Sequence, residues 1–255
     1  MKPIIVISRK DPAGMNISKF ISEVPIHYVD TEIINAEKID EKLEADFIIF
    51  ASKHQGKKNK MLSLHAPGNW KQADFGGKKG KVCLTSGTIL KIFFQELNEN
   101  KEDWQATLEV THHGPLIKKP CLFIEIGGTK KDWTNKQAGK AIATTIENAI
   151  KDIKRKVSQE NPWLSGTAIG IGGPHYCPNF NKIQLNSKYA ISHIIPQYAF
   201  PITKQVIEEA INKTQEPVSL AIIDWKGLKG EERQETLKLC TELGLKVKKT
   251  SEIEK

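Results

Sequence analysis

The chain has 255 residues, of which 39% are hydrophobic and 27% charged, and it carries a formal charge of +8. That supplies a full core, as one large domain or two intimate ones, and no stretch approaches the roughly 20 apolar residues of a membrane span, which excludes an integral membrane helix. Four cysteines, Cys83, Cys121, Cys177 and Cys240, stand far apart with no C-x-x-C pair, which excludes a zinc ribbon.

The opening M-K-P-I-I-V-I-S is too short an apolar run for a signal peptide and reads as a first strand, so a cytoplasmic protein is expected. The positive charge is almost all lysine, with arginine only at Arg9, Arg155 and Arg233. It suits a polyanion such as RNA, and solvated lysine-rich faces would give the same count.

In chain order, Pro3–Ser8 predicts a strand and Met15–Val24 a helix, with Asn16 or Ser18 as its cap. Ile26–Ile34 alternates like a strand, and Lys38–Glu44 reads as a short polar helix. Phe47–Ala51 is continuously apolar, the mark of a strand covered on both faces. Gln55–Lys60 is a basic loop, Met61–His65 a short strand or turn, and Lys71–Gly80 a Gly- and Lys-rich loop expected to be mobile.

Val82–Thr85 predicts a strand and Gly87–Asn98 an amphipathic helix burying Ile89, Leu90, Phe93, Phe94 and Leu97. Gln105–Thr111 and Cys121–Gly127 alternate like paired strands. Trp133–Val157 is the clearest helix, with Ala138, Ile142, Ala149, Ile153 and Val157 on one stripe and Thr134 and Gln137 fitting a capping box. Thr167–Gly172 predicts a strand, and Asn181–Ile195 short strands. Pro201–Lys213 predicts a helix opened by proline, Val218–Asp224 a strand, Glu231–Leu243 a helix and Leu245–Lys248 a last strand. Alternating strands and helices predict an α/β protein, a three-layer sheet with helices on both faces, in one compact domain over residues 1–255.

Six histidines share one setting: a strand yields to a loop marked by glycine or proline. They are His54 in S-K-H-Q-G, His65 in L-H-A-P-G, His112 and His113 in T-H-H-G-P, His175 in G-G-P-H-Y and His193 in S-H-I-I-P. Histidine titrates near neutrality and is the commonest metal ligand. An open α/β sheet gathers its ligands beyond the carboxyl ends of its strands, so these loops predict one shared polar site. Taken singly, each histidine fits a hydrogen-bonded turn equally well.

A two- or three-histidine zinc site would fit, although the spacings match no H-E-x-x-H pattern. Glu109 in T-L-E-V-T and Glu125 in F-I-E-I-G are either exposed or buried to orient a histidine or a metal. Gly170, Gly172 and Gly173 offer N–H groups to an oxyanion or phosphate, and Cys177 is a further candidate ligand. No G-x-S-x-G elbow supports a serine nucleophile.

In combination and order, six motifs resemble the archaeal and plant type of D-aminoacyl-tRNA deacylase. They are S-K-H at 52–54, L-H-A-P-G-N at 64–69, T-H-H-G-P at 111–115, F-I-E-I-G at 123–127, G-I-G-G-P-H-Y at 170–176 and S-H-I-I-P-Q-Y-A at 192–199. The resemblance spans nearly the whole chain. It implies a phosphorylase/hydrolase-like fold similar to peptidyl-tRNA hydrolase, a zinc cofactor, and hydrolysis of the ester joining a D-amino acid to tRNA, with aldehyde-modified D-aminoacyl-tRNA as a further substrate.

With that activity, the candidate catalytic residues are Lys53, His54, His112, His113, Glu125, His175 and His193. The metal ligands would be a subset of His112, His113, His175 and His193, and Lys53 or a glycine-loop N–H would stabilise the oxyanion. For the aminoacyl-tRNA partner, the candidates are Lys57, Lys58, Lys78, Lys79, Lys118 and Lys119 for phosphates and His65, Gly172 and Gly173 for the acceptor end, with Trp70 or Tyr176 stacking on the terminal adenosine. Lys60, Lys81, Lys130 and Lys131 flank the same loops. A monomer is expected. The competing readings are a zinc-dependent amidohydrolase or exopeptidase on small substrates and a non-catalytic RNA-binding protein.

Overall fold

Apolar runs become strands here, and within the larger sheet one reversal of direction, between β4 and β8, breaks the parallel order. The structure is a computed structural model and describes residues 1–56, 60–157 and 166–253. In chain order its strands are β1 (Pro3–Ser8), β2 (Ile26–Val29), β3 (Phe47–Gln55), β4 (Met61–His65), β5 (Gly68–Asn69), β6 (Lys81–Val82), β7 (Gln105–Leu108), β8 (Cys121–Gly128), β9 (Thr167–Ile171), β10 (Ala190–Ile195), β11 (Leu220–Ile223) and β12 (Lys246–Lys249). The helices are α1 (Pro12–Ile17), α2 (Gly87–Asn100), α3 (Lys130–Trp133), α4 (Lys136–Val157), α5 (Pro178–Asn186), α6 (Lys204–Asn212) and α7 (Gly230–Glu242).

The α/β expectation holds, but the strands form two principal sheets rather than one. The first has the order β2-β1-β3-β8-β4-β7, and the second β10-β9-β11-β12. β4 runs antiparallel to β8, while β7 runs parallel to β4. The second sheet is parallel throughout. β7 and β8, expected to pair, are separated by β4. The alternation separates the two faces of each strand, both of them covered in β8, and does not report the identity of the neighbour.

Helix α2 joins the two sheets. It packs against α4 and β4 on one side and against β10 and β9 on the other. Ile89, Leu90, Phe93, Phe94 and Leu97 are buried as expected, together with Ile92 on the adjoining face. One apolar cluster consequently runs from Ile49 and Ile124 of the first sheet to Ile191 and Ile222 of the second. The stripe on α4 is buried at Ala138, Ile142, Ile146, Ala149 and Ile153; the side chain of Val157 lies outside the described residues.

Several local expectations give way to specific chemistry. Asp11 caps α1 by accepting from the N–H groups of Ala13 and Gly14, so that helix starts earlier than Met15 and ends at Ile17. The polar segment after Ala36 is a 3-10 turn at Ile39–Lys42. Asn135, not Thr134, caps α4 through the N–H groups of Gln137 and Ala138. Residues 178–186 form a helix with Pro178 in its first turn, where strands were expected. Pro201 precedes α6 by three residues instead of opening it. The Gly- and Lys-rich loop is pinned rather than mobile: Gly114 N–H donates to the Phe75 carbonyl (2.8 Å), Asn69 Nδ2 to that of Gly76 (2.9 Å), and Gly77 N–H to Glu37 (2.9 Å).

Successive strand side chains point to opposite faces of a sheet. On β8, Leu122, Ile124 and Ile126 enter the large apolar cluster. Cys121, Phe123 and Glu125 take the other face, where Cys121 and Phe123 join Val6, Ile48 and Phe50 in a smaller one. That second face is apolar at the amino ends of β3 and β8 and polar at their carboxyl ends. Ser52, His54 and Glu125 stand there, next to His65 of β4.

Candidate active site

The site lies at the seam between the two sheets. Beyond β7 the chain stays extended and bonds in turn to each neighbour: Glu109 N–H to Leu64 of β4 (3.0 Å), Val110 N–H to the His175 carbonyl (3.0 Å), and Thr111 N–H to Ile194 of β10 (3.0 Å). These bonds fix Glu109, His112 and His113 between the end of the first sheet and the loop leaving β9. His175 arrives on the G-G-P turn, where Gly172 and Gly173 hold φ of +94° and +83°, a region L side chains rarely adopt. The pinned loop passes so close to the histidine turn that a Cβ on Gly114 would lie 2.3 Å from Gly77 N.

Glu109 is the hub, and it is fully buried. Its Oε2 receives His175 Nε2 at 2.9 Å and His54 Nδ1 at 3.2 Å, with His112 Nε2 at 3.4 Å. Glu125 accepts from Ser52 Oγ at 2.6 Å and lies 3.6 Å from His54 Nδ1 and 3.7 Å from His65 Nε2. His54 Nε2 meets the Tyr176 hydroxyl at 3.1 Å. The His54 carbonyl accepts from Trp133 Nε1 at 3.3 Å, which ties the end of β3 to α3.

Burial by itself would neutralise these groups, and their neighbours decide which keep a charge. Both carboxyls are held well below the usual range, because the adjoining imidazoles, His54 foremost, more than reverse the effect of burial on Glu125, as His175 and His54 do on Glu109. Burial disfavours the His54 cation, but the adjoining carboxylates of Glu109 and Glu125 push it up to about 11. His112 is pushed well below its ordinary value, and His113 down to about 4, by burial first and then by the other histidines. Among these five groups two anions face one cation.

The hydrogen bonds also set tautomers. A carbonyl only accepts, so His65 Nδ1–H donates to Ala66 (3.1 Å), His112 Nδ1–H to Val110 (2.9 Å) and His113 Nδ1–H to Gly114 (2.7 Å). In a neutral ring so held, Nε2 keeps its lone pair, and in all three rings that atom faces inward. At His112 and His65 that lone pair faces a carboxylate oxygen, acceptor against acceptor. His65 Nε2, Glu109 Oε1 and Glu125 Oε2 are buried with no hydrogen-bond partner. Groups of His65, His112 and His113, of His65, Glu109 and Glu125, and of His54, Glu109, His112 and His175 each bring their ligand atoms within 4.8 Å of one another. Orphaned acceptors, carbonyl-oriented imidazoles and excess negative charge fit a cation such as zinc.

A pocket of about 590 Å³ opens onto this cluster, lined by Lys53, His54, His112, His113, Glu125, His175 and Tyr176, and by Asp11, Glu32, Ile33 and Phe75. Lys53 Nζ is suspended between Asp11 (3.7 Å) and Glu32 (3.6 Å) at its wall.

The model of the D-aminoacyl-tRNA deacylase family matches residues 41–248. The chain belongs to this family. A D-aminoacyl-tRNA deacylase of Pyrococcus furiosus is 40% identical over 221 residues, covering 86% of this chain and 77% of that protein. Those of Pyrococcus abyssi and Methanocaldococcus jannaschii are 35% and 32% identical, each covering at least 95% of both chains. The crystal structure of a conserved protein of unknown function superposes with a TM-score of 0.88 at 28% identity, over 98% of this chain and 96% of that one.

Of the residues expected at a deacylase site, the structure brings together Lys53, His54, His112, His113, Glu125, His175 and Tyr176. His65, expected to touch substrate, instead joins the candidate metal donors. His193 stands apart and is fully buried, its Nε2–H donating to Lys213 O (3.1 Å) and its Nδ1 meeting the Thr111 hydroxyl (3.1 Å). Trp70 is buried beside it with Nε1 on Ile194 O (3.2 Å), which leaves no face for an adenine. Gly172 N–H is committed to the Ile195 carbonyl (2.8 Å), and a Cβ on Gly173 would meet Asp224 at 2.8 Å, so the turn is shaped by packing. Cys177 is buried with Sγ on backbone carbonyls.

Lys78 and Lys79 are exposed on the pinned loop, three and four residues beyond Phe75 of the pocket wall. Lys118 pairs with Glu41, and Lys119 with the Leu43 carbonyl, just before β8 begins and thus at the far end of the strand from the site. Lys57 and Lys58 lie outside the described residues. The sequence leaves Glu109 with two open readings, exposed or buried, and the structure makes it the centre. Its signal is alternation: Leu108 and Val110 face the core, so Glu109 must face elsewhere.

Proposed function

We propose that the chain hydrolyses the ester joining a D-amino acid to the 3′ end of tRNA. The observation that carries this reading is the buried, acceptor-rich cluster around Glu109 at the base of the pocket, in a chain whose relatives bear the name of that activity. The names of those relatives favour neither an exopeptidase nor a non-catalytic RNA-binding protein.

The ester carbonyl would enter the pocket above His54 and His175. His175 donates Nε2–H to Glu109 and turns Nδ1 toward the pocket, where the Tyr198 hydroxyl lies 3.5 Å away; that nitrogen would take a proton from the attacking water, with Glu109 steadying the ring. Its side chain is 30% exposed, which leaves room for that water. His54, held cationic by the two carboxylates, faces the negative charge that builds on the carbonyl oxygen. Lys53 adds a second cation at the wall.

Zinc would be held by His65, His112 and His113 with the carboxylates behind them, and when bound it lowers the pKa of a water to about 7 and polarises a carbonyl. An aminoacyl ester is already reactive, so a base and an oxyanion partner suffice. The test is release of labelled amino acid from D- and L-aminoacyl-tRNA side by side. D-ester cleavage alone is expected, and cleavage of both at equal rates would defeat the chiral reading.

A further inference from the structure

Among the described residues, the exposed large hydrophobic side chains are Met1, Phe75 and Tyr198, with Phe75 68% and Tyr198 57% exposed. The last two border one pocket. Phe75 lines it, and the Tyr198 hydroxyl lies 3.5 Å from Nδ1 of His175, another lining residue. Two exposed rings at the rim of one polar pocket are placed to meet what enters it.

Both rings stand on immobilised backbone. The Phe75 carbonyl accepts from Gly114 N–H at 2.8 Å, directly beside His113, and the next two residues are held by Asn69 and Glu37. Tyr198 sits in a 3-10 turn (Gln197–Ala199) whose Gln197 N–H donates to the Gly173 carbonyl at 3.1 Å. Two fixed, solvent-facing aromatic faces are costly as core and useful as platforms. A base placed on such a face loses little entropy, because the protein side is already ordered.

We propose that Phe75 and Tyr198 are stacking platforms for the unpaired 3′ nucleotides of the tRNA substrate. This rests on the deacylase reading of the pocket. The terminal nucleotides of tRNA are single-stranded, and stacking on aromatic rings is the usual way such bases are held, without regard to sequence. The pocket takes the aminoacyl group and its ribose, while the bases remain on the rim. Exposed Lys78 and Lys79, on the loop that presents Phe75, are placed for the phosphates that follow. Trp70, the aromatic residue nearest this loop in sequence, is buried and cannot serve.

The probe is a tRNA carrying 2-aminopurine in place of its terminal adenine, whose fluorescence falls when the base stacks. Wild-type protein should quench it. Phe75→Ala and Tyr198→Ala should each weaken binding and raise KM for D-aminoacyl-tRNA about five- to hundredfold, the range expected when one base stack is removed. kcat should change little for Phe75→Ala, and Phe75→Trp and Tyr198→Phe should retain quenching. The Tyr198→Phe variant also separates stacking from the contact with His175. Unchanged quenching and KM in both alanine variants would overturn the platforms while leaving the activity intact. Quenching that depends on both rings, in a protein that cleaves no D-aminoacyl ester, would uphold the platforms and defeat the deacylase reading instead.

Discussion

His65 and Glu125 meet as two acceptors: Nε2 and Oε2 lie 3.7 Å apart, both buried, and neither has a hydrogen-bond partner. A buried polar atom left unsatisfied costs about 1–3 kcal/mol, and here two of them face each other. A proton or a cation between them would remove the conflict, and His112 with Glu109 repeats it at 3.4 Å. The purified protein should therefore contain a divalent metal by elemental analysis. Its removal by a chelator should lower the melting temperature, since a ligand at a hundred times its dissociation constant stabilises by about 2.7 kcal/mol. His112→Ala should abolish the metal content. A metal-free protein whose melting temperature ignores both chelator and added zinc would refute this reading.

Glu109 accepts from two imidazoles through one oxygen, so its charge organises both. Glu109→Gln keeps the shape and removes the anion. We expect kcat to fall about a hundredfold or more, in the range of a disabled general base, while circular dichroism stays native. The same substitution should let His54 lose its proton closer to neutrality, visible by NMR as a change in its titration. His175→Asn should lower kcat comparably, and the double variant should be little worse than either single one, because the two residues act as a unit.

Much of this arrangement is legible in the sequence, and the limits have physical causes. Strand-end histidines identify the right loops, because glycine and proline punctuation is a local property. Periodicity locates the buried faces of α2 and α4, since a helix records its own burial every third or fourth residue. Partners cannot be read so. Nothing within Gln105–Leu108 tells whether its neighbour is β8 or β4, and the strand order of the first sheet depends on that choice. His193 shares the local setting of the others and faces the wrong way, because direction at a strand end is fixed by tertiary packing. Glu109 and Glu125 stay ambiguous for a related reason: a carboxylate among apolar neighbours looks the same at an exposed edge and in a buried cluster.

The lysines separate into two groups that a binding experiment can tell apart. Lys78 and Lys79 are exposed on the pinned loop that carries Phe75, whereas Lys118 and Lys119 sit at the opposite end of β8 against Glu41 and Leu43. Removing one phosphate-binding cation should reduce the slope of log affinity against log salt by about 0.7–0.9. Lys78→Gln with Lys79→Gln should flatten that slope and weaken tRNA binding. Lys118→Gln with Lys119→Gln should leave both nearly unchanged. Equal effects from the two pairs would show that tRNA does not approach by the Phe75 loop.

His193 gives a prediction about acid stability that is independent of catalysis. Its ring is fully buried and satisfied in the neutral form, with Nε2–H on Lys213 O and Nδ1 at the Thr111 hydroxyl. Burial pushes it down to about 4 from an ordinary value of 6.5. Between those two values the unfolded chain binds a proton that the folded chain refuses, so stability falls as pH drops through this window and is full above it. At about 1.4 kcal/mol per unit the loss approaches roughly 3 kcal/mol by pH 4. His193→Asn will cost stability at neutral pH, through poorer packing and one missing hydrogen bond. Its unfolding free energy should nevertheless fall less steeply than that of the wild type between pH 6.5 and 4, measured by urea titration at each pH. Parallel curves for the two proteins would mean that His193 is protonated in the folded state and that its bond to the Lys213 carbonyl does not fix it neutral.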